Sequence, residues 1–337
     1  MLLQILLAIL IGMNAGIITG LIPGIHINLI SALAIAIAPV LLNYVSPLYI
    51  ALFIVAMAVT HSFLDVIPST YLGAPDASNA LMALPAHKML LEGRAYEAIR
   101  LTVLGSFICL IVGILITPLM FFFLHIAYET IAGVLFWILV IVLIYLISDG
   151  SWIKNVAFFF LSGSLGYLAL NSIAITEPLF PMLSGLFGTS ILINSFNDNT
   201  SFPKQTELYD HLSKKDLLLP SFGAVIAGTL TSFLPGLGAS QGAAIAAGIL
   251  RKITQKGFLI MVGGINTINF AISITTYFTI NKARNGGIIA VGALIPEFTS
   301  IDLQVFLIVA LIAGCLSVPL CLSLSTSFGS LLQKVNY

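Results

Sequence analysis

Residues 15–24 read Ala-Gly-Ile-Ile-Thr-Gly-Leu-Ile-Pro-Gly, and residues 227–236 read Ala-Gly-Thr-Leu-Thr-Ser-Phe-Leu-Pro-Gly. Each is a run of small and apolar residues stopped by Pro-Gly, and each lies within strongly apolar sequence. Proline removes a backbone donor and ends a helix, while glycine allows the turn that follows. Helix breaks at matching places in two halves of an apolar chain point to a membrane carrier whose site lies at the breaks.

The apolar context extends over the whole chain. Of 337 residues, 59% are hydrophobic and 8% charged, and the mean hydropathy is +1.11. A soluble domain of this length does not hide so much apolar surface, which predicts an all-α polytopic protein of the cell membrane, in contact with membrane lipid. The zero formal charge offers no electrostatic footprint for nucleic acid. Cys109, Cys315 and Cys321 lie in apolar runs without ligand spacing, so neither a disulfide nor a metal is expected. The start, Met1-Leu2-Leu3-Gln4, lacks a basic region and reads as the first membrane segment, not a signal peptide. No Gly-x-Ser-x-Gly elbow, His-Glu-x-x-His motif or P-loop is present, which argues against an enzyme and against a nucleotide-driven pump. No cofactor is expected; an ion gradient is left to drive movement, with Na⁺ and H⁺ both open as the coupling ion.

The duplication extends past Pro-Gly. Ser69-Thr70-Tyr71, followed by Ala77 and Asn79, matches Thr275-Thr276-Tyr277, followed by Ala283 and Asn285. The segments flanking each Pro-Gly look too short to cross a membrane singly, so each pair reads as a re-entrant hairpin or broken helix. Lys and Arg mark the cytoplasmic side. In the first half the loop after the Pro-Gly pair, 43–46, is uncharged, and the later loop carries Lys88, Arg94 and Arg100. In the second half Arg251, Lys252 and Lys256 follow the pair, and the later loop offers Glu297 and Asp302. Equivalent loops thus fall on opposite sides, which predicts two inverted repeats. Residues 1–124 form repeat one, 125–218 connecting helices and a polar cytoplasmic loop, and 219–337 repeat two.

The candidate substrate site follows from the breaks. Pro23, Gly24, Pro235 and Gly236 end one helix and start another, whose N-terminal amides and positive dipole end suit a carboxylate or phosphate. His26 and Asn28 in the first half, and Gly238, Ser240 and Gln241 in the second, would add donors. The loops 69–79 and 275–285 contribute Ser69, Thr70, Asn79, Thr276, Lys282, Arg284 and Asn285. Lys282 and Arg284 are costly charges at the membrane, fitting either an anion pathway or a headgroup-facing pair. Asp76 stands where Lys282 stands in the other half; with Asp65 it is a candidate for the coupling ion, or equally a helix cap or turn former. His61, His125, Glu129 and Glu177 read as interfacial or pore-wetted groups without a direct role. Asn266, Thr267 and Asn269 read most simply as packing residues, with cavity donors as the alternative.

These residues resemble the TctA family, the large membrane subunit of tripartite tricarboxylate transporters. The resemblance rests on Gly16-x-x-x-Gly20-x-x-Pro23-Gly24, on Gly228 through Pro235-Gly236-Leu237-Gly238, and on Gly73-Ala74-Pro75 followed by Pro85, Lys88, Gly93 and Arg94. It implies inverted repeats, re-entrant loops, and carboxylate uptake with a small membrane subunit and an extracytoplasmic solute-binding protein. His26 departs from the pattern, standing where a second glycine is expected. Two other readings share part of the chemistry: a polyprenyl-phosphate translocase, which also uses paired Pro-Gly loops, and a non-transporting membrane scaffold, which needs no duplicated breaks.

Overall fold

The computed structural model describes residues 2–73, 80–148, 150–171, 193, 203–206, 211–234, 237–250, 253–283 and 285–332. Among these residues there are twelve helices and no strand. They are α1 (Leu2–Leu21), α2 (Ile27–Leu41), α3 (Pro47–Leu64), α4 (Val66–Tyr71), α5 (Ala80–Leu91) and α6 (Ala95–Ser148). After them come α7 (Trp152–Leu170), α8 (Lys214–Phe233), α9 (Ala239–Leu250), α10 (Gln255–Ile280), α11 (Gly286–Leu294) and α12 (Ser300–Leu332). Among the described residues, six stretches are long and apolar enough to cross a membrane: α1, α3 with α4, α6 as far as Leu124, α7, α10 and α12. The chain is an all-α polytopic membrane protein.

Contacts divide it into two units, residues 1–131 with 203–335, and residues 132–202 with 336–337. The second unit holds the end of α6 and α7, which has no buried residue. The first unit holds 1–124 and 219–335 of the expected repeats, 1–124 and 219–337.

Within this body α1 lies along α3 in the same direction. Gly12, Gly16 and Gly20 form a strip at helical spacing, and a Cβ on Gly16 would lie 2.6 Å from the Met57 carbonyl oxygen and 2.7 Å from Thr60 Cβ. Small residues at such spacing let two membrane helices approach closely. At the start of the pair, the Tyr49 hydroxyl donates to Gln4 at 2.8 Å; at its end Gly20 abuts Leu64. The first break therefore falls level with Asp65, six residues before α4 ends. The sequence reading made both flanking segments too short to span. Yet α1 continues for 20 residues, right up to the break, and α2 is the short one, with 15.

In the second half, two helices again pack on a longer one. Gly228 of α8 abuts Ile265 and Ile268 of α10, while α9 returns with Gly242 against Thr231 of α8. The last turns of α8 fall level with Asn269, whose side-chain amide donates to Thr231 at 3.0 Å. From there α10 runs on to Ile280. α9 has 12 residues, well under the roughly 20 that a full span needs.

The two scaffolding helices point in opposite directions. α3 and α4 finish where the Tyr71 hydroxyl meets the Ser325 carbonyl. α10 starts at that same end, since Gln255 donates to the Pro85 carbonyl of α5 at 2.8 Å and Lys256 lies 3.1 Å from Glu97 at the start of α6. Each hairpin begins and ends beside the start of its scaffold helix, so the hairpins enter from opposite ends.

Candidate functional site

The starts of α2, α9 and α11 meet α3 and α10 around a cavity of about 200 Å³. Its wall takes His26, Ile27 and Asn28 from the start of α2, and Leu237, Gly238 and Ala239 from the start of α9. Asn285 and Gly286 come from the start of α11. Three helix N-termini thus face one space, and each carries the positive end of a helix dipole.

Local caps hold these ends in place. His26 is the N-cap of α2, and its Nδ1 accepts the Asn28 N–H at 3.1 Å. Asn285 is the N-cap of α11, and its Oδ1 accepts the Gly287 N–H at 2.9 Å. Gln241 does comparable work before α9, its Oε1 accepting the Gly238 N–H at 3.0 Å. Side-chain capping of orphan amides is the reason Asn and similar acceptors sit at helix starts. Gly24 holds the preceding turn with φ of +92°, a conformation that side chains disfavour.

The opposite wall is polar along one stripe of α3 and one of α10. His61 and Asp65, one turn apart, are both buried, with His61 Nε2 4.0 Å from Asp65 Oδ2. His61 Nδ1 lies 3.0 Å from the Thr19 hydroxyl, and the His26 and His61 rings meet edge to face, centroids 5.5 Å apart. The Asn266 amide approaches Asp65 Oδ2 at 3.5 Å, and Asn269 adds a second amide three residues along. Among the described residues, the lining carries one carboxylate and neither Lys nor Arg.

Of the residues singled out from sequence, His26, Asn28, Asp65, Gly238 and Asn285 line the cavity. Pro23 and Gly24 form the exposed turn beside it. Ser69, Thr70 and Thr276 are buried off the lining, farther along α4 and α10. Ser240 and Gln241 occupy the first turn of α9 behind it, and Lys282 is exposed beyond the end of α10. Asp76, Asn79, Pro235, Gly236 and Arg284 fall outside the described residues. The wall also holds His61, Asn266 and Asn269, which were not among the candidate site residues. Their signal was spacing: His61 and Asp65 at i, i+4 and Asn266 and Asn269 at i, i+3 put each pair on one helix face.

No solved structure matches the chain. It is 32% identical to the uncharacterized protein MJ1079 of Methanocaldococcus jannaschii, over 98% of this chain and 83% of that protein. The model of the tripartite tricarboxylate transporter TctA family matches residues 6–337, a range that includes both Pro-Gly breaks and every described residue lining the cavity. Together with six membrane-length apolar helices, that match identifies the chain as a multi-pass cell-membrane transport protein belonging to the TctA family.

Proposed function

We propose that this chain moves a small organic anion, a di- or tricarboxylate, across the membrane by alternating access coupled to an ion gradient. The observation that carries the reading is the convergence of the α2, α9 and α11 N-termini on one cavity. Helix N-termini stabilise carboxylates through their amides and dipoles, and the Asn side chains around them supply directional donors. The cavity, at about 200 Å³, falls below the ~300–1,000 Å³ of drug-sized sites and suits a compact anion. Hairpins entering from opposite ends, on scaffold helices of opposite direction, favour an inverted repeat, with repeat one entering from outside and repeat two from the cytoplasm. Lys88, Arg94, Arg100 and Lys256 then share the cytoplasmic side. Family membership favours a small membrane subunit and an extracytoplasmic solute-binding protein as partners.

The test is ligand-dependent thermal stabilisation of the purified protein with citrate, succinate and short-chain polyprenyl phosphates. A ligand at 100 times its Kd stabilises the folded state by about 2.7 kcal/mol, a readily measured rise in Tm. Stabilisation by citrate or succinate that is lost in Asn285→Ala is the expected result. Stabilisation by polyprenyl phosphate alone would move the function to lipid-phosphate transfer.

A further inference from the structure

The cavity has two chemically different sides. On one, α2, α9 and α11 begin, and a helix start offers N–H groups. Asn285 adds to them: its side-chain oxygen is taken by the Gly287 N–H at 2.9 Å, which leaves its amide nitrogen as the group to offer. The other side, built by α3 and α10, offers oxygens.

Burial singles out which ones. From Leu259 to Thr276 every residue of α10 is buried except Asn266 and Asn269, and both line the cavity. From Ile54 to Tyr71, along α3 and α4, Ser62 alone is not buried, and it lines the cavity too. Two otherwise buried stretches thus open three side chains onto the same space. Each has a hydrogen committed to the protein. Ser62 donates to the Val59 carbonyl at 2.8 Å. Asn269 donates to Thr231 at 3.0 Å, and Thr231 spends its own hydrogen on the Gly228 carbonyl at 3.1 Å, so toward Asn269 it accepts. The Asn266 amide nitrogen turns to Asp65 Oδ2 at 3.5 Å. An amide whose nitrogen is placed has its oxygen placed as well, on the other corner of the same plane.

Ser62 Oγ, Asn266 Oδ1 and Asn269 Oδ1 are therefore three acceptors on one wall. Among the described residues the lining holds neither Lys nor Arg to pair with them. Three acceptors call for three donors. A methylene brings no such hydrogen, a hydroxyl one and an ammonium three, with a positive charge that strengthens each bond. Asn266 and Asn269 stand three residues apart on one helix face, where Cβ atoms are about 5–6 Å from each other. One ammonium between their side chains reaches both.

We propose that the carried anion is an amino-dicarboxylate, with its carboxylates at the starts of α2, α9 and α11 and its ammonium on Ser62, Asn266 and Asn269. This rests on the anion-carrier reading and narrows its substrate class. A single carboxylate has two oxygens for three helix starts, which favours a second one in the ligand. The unsubstituted dicarboxylate of the same length fills the helix-start side and leaves the three oxygens of the wall without donors, a loss that discriminates against it.

The test is titration calorimetry of the full chain in lipid nanodiscs at neutral pH with succinate, malate and aspartate, and with citrate as a fourth anion. The first three share one carbon skeleton and carry a hydrogen, a hydroxyl and an ammonium at the same carbon. Aspartate should bind at least about tenfold tighter than succinate, the ratio that one charged hydrogen bond gives, with malate between them. In Asn266→Leu, a change of similar size, aspartate should lose about tenfold while succinate does not weaken. Should that variant fail to fold, the ratio of aspartate to succinate on the unaltered chain still decides. Equal affinity for aspartate and succinate overturns the proposal and leaves the anion reading intact. Malate bound as tightly as aspartate overturns the ammonium. An aspartate preference that survives Asn266→Leu, or a loss shared equally by both anions, overturns the assigned wall. Citrate bound without any of the other three overturns the proposal alone, and no binding by any of the four ends the carrier reading with it.

Discussion

Asp216 accepts the hydroxyl proton of Thr254 at 2.6 Å, and Thr254 is the residue that caps α10. Asp216 also accepts from Ser213, the N-cap of α8, at 2.6 Å. One carboxylate thus fastens the base of the second hairpin to the base of its scaffold helix.

Both hydroxyls, that of Ser213 first, hold the Asp216 carboxyl below the ordinary carboxylate range. A depressed folded value adds stability above the unfolded pKa of about 3.9, and that stability is lost as pH falls through the folded value. Asp216→Asn should lower Tm at pH 7, and the gap to the unaltered protein should close below about pH 4. Thermal scans at several pH values check this; a gap that persists in acid would contradict it.

A second fastening lies close by. Glu97 is buried and accepts from Arg94 at 2.7 Å, with Lys256 at 3.1 Å. Removing one charge from a buried network leaves the others uncompensated. Glu97→Gln should cost about 3 kcal/mol, toward the lower end for a broken buried pair, because Arg94 and Lys256 keep some contact with water. Chemical unfolding in mixed micelles measures it, and a cost under about 0.5 kcal/mol, typical of an exposed pair, would contradict the network.

The glycine strip on α1 gives a steric test. Gly16→Val places its side chain against the Met57 carbonyl and Thr60, and overpacking of this kind costs about 1–3 kcal/mol or more. Gly163→Ala on α7 is the control, since a Cβ there meets nothing within 4 Å. Gly16→Val should lose Tm and the control should keep it; equal effects would show that α1 does not depend on close approach.

Asn269 joins the tip of the second hairpin to the cavity wall. Its loss in Asn269→Ala leaves Thr231 without that donor and removes an amide from the cavity. A lost hydrogen bond at a buried site costs about 1–3 kcal/mol, so citrate or succinate binding should weaken about 5- to 150-fold. Titration of the variant against the unaltered chain reads the change.

Much of the membrane fold was visible in the residues, because lipid imposes long apolar helices and tolerates broken ones only around a polar space. Pro23 and Gly24 marked the first tip, His26, Asn28 and Gly238 followed from what a restarting helix needs, and Asn285 came from the match between the loops 69–79 and 275–285. The strip Gly16-x-x-x-Gly20 belonged to that motif in sequence, yet its use is contact with α3. Lys282 drew notice as a charge near the membrane, yet it is exposed past the end of α10. The cavity wall was harder to read. His61, Asn266 and Asn269 sit on helices whose neighbouring residues are almost all buried, so one polar side chain among many apolar ones did not show which way it faced. Only the meeting of α3 with α10, 201 residues apart at Asp65 and Asn266, turns those isolated groups into a wall.

The order of elements along the chain bears on how the protein is made. Each hairpin is synthesised before the helix that covers its tip: α1 and α2 before α3, α8 and α9 before α10. A nascent chain that has just cleared residue 250 holds the second tip without Asn266, Asn269 or the Thr254 anchor. The wall that Asn266, Asn269 and Asn285 give the cavity thus exists only once α10 and the start of α11 have been made.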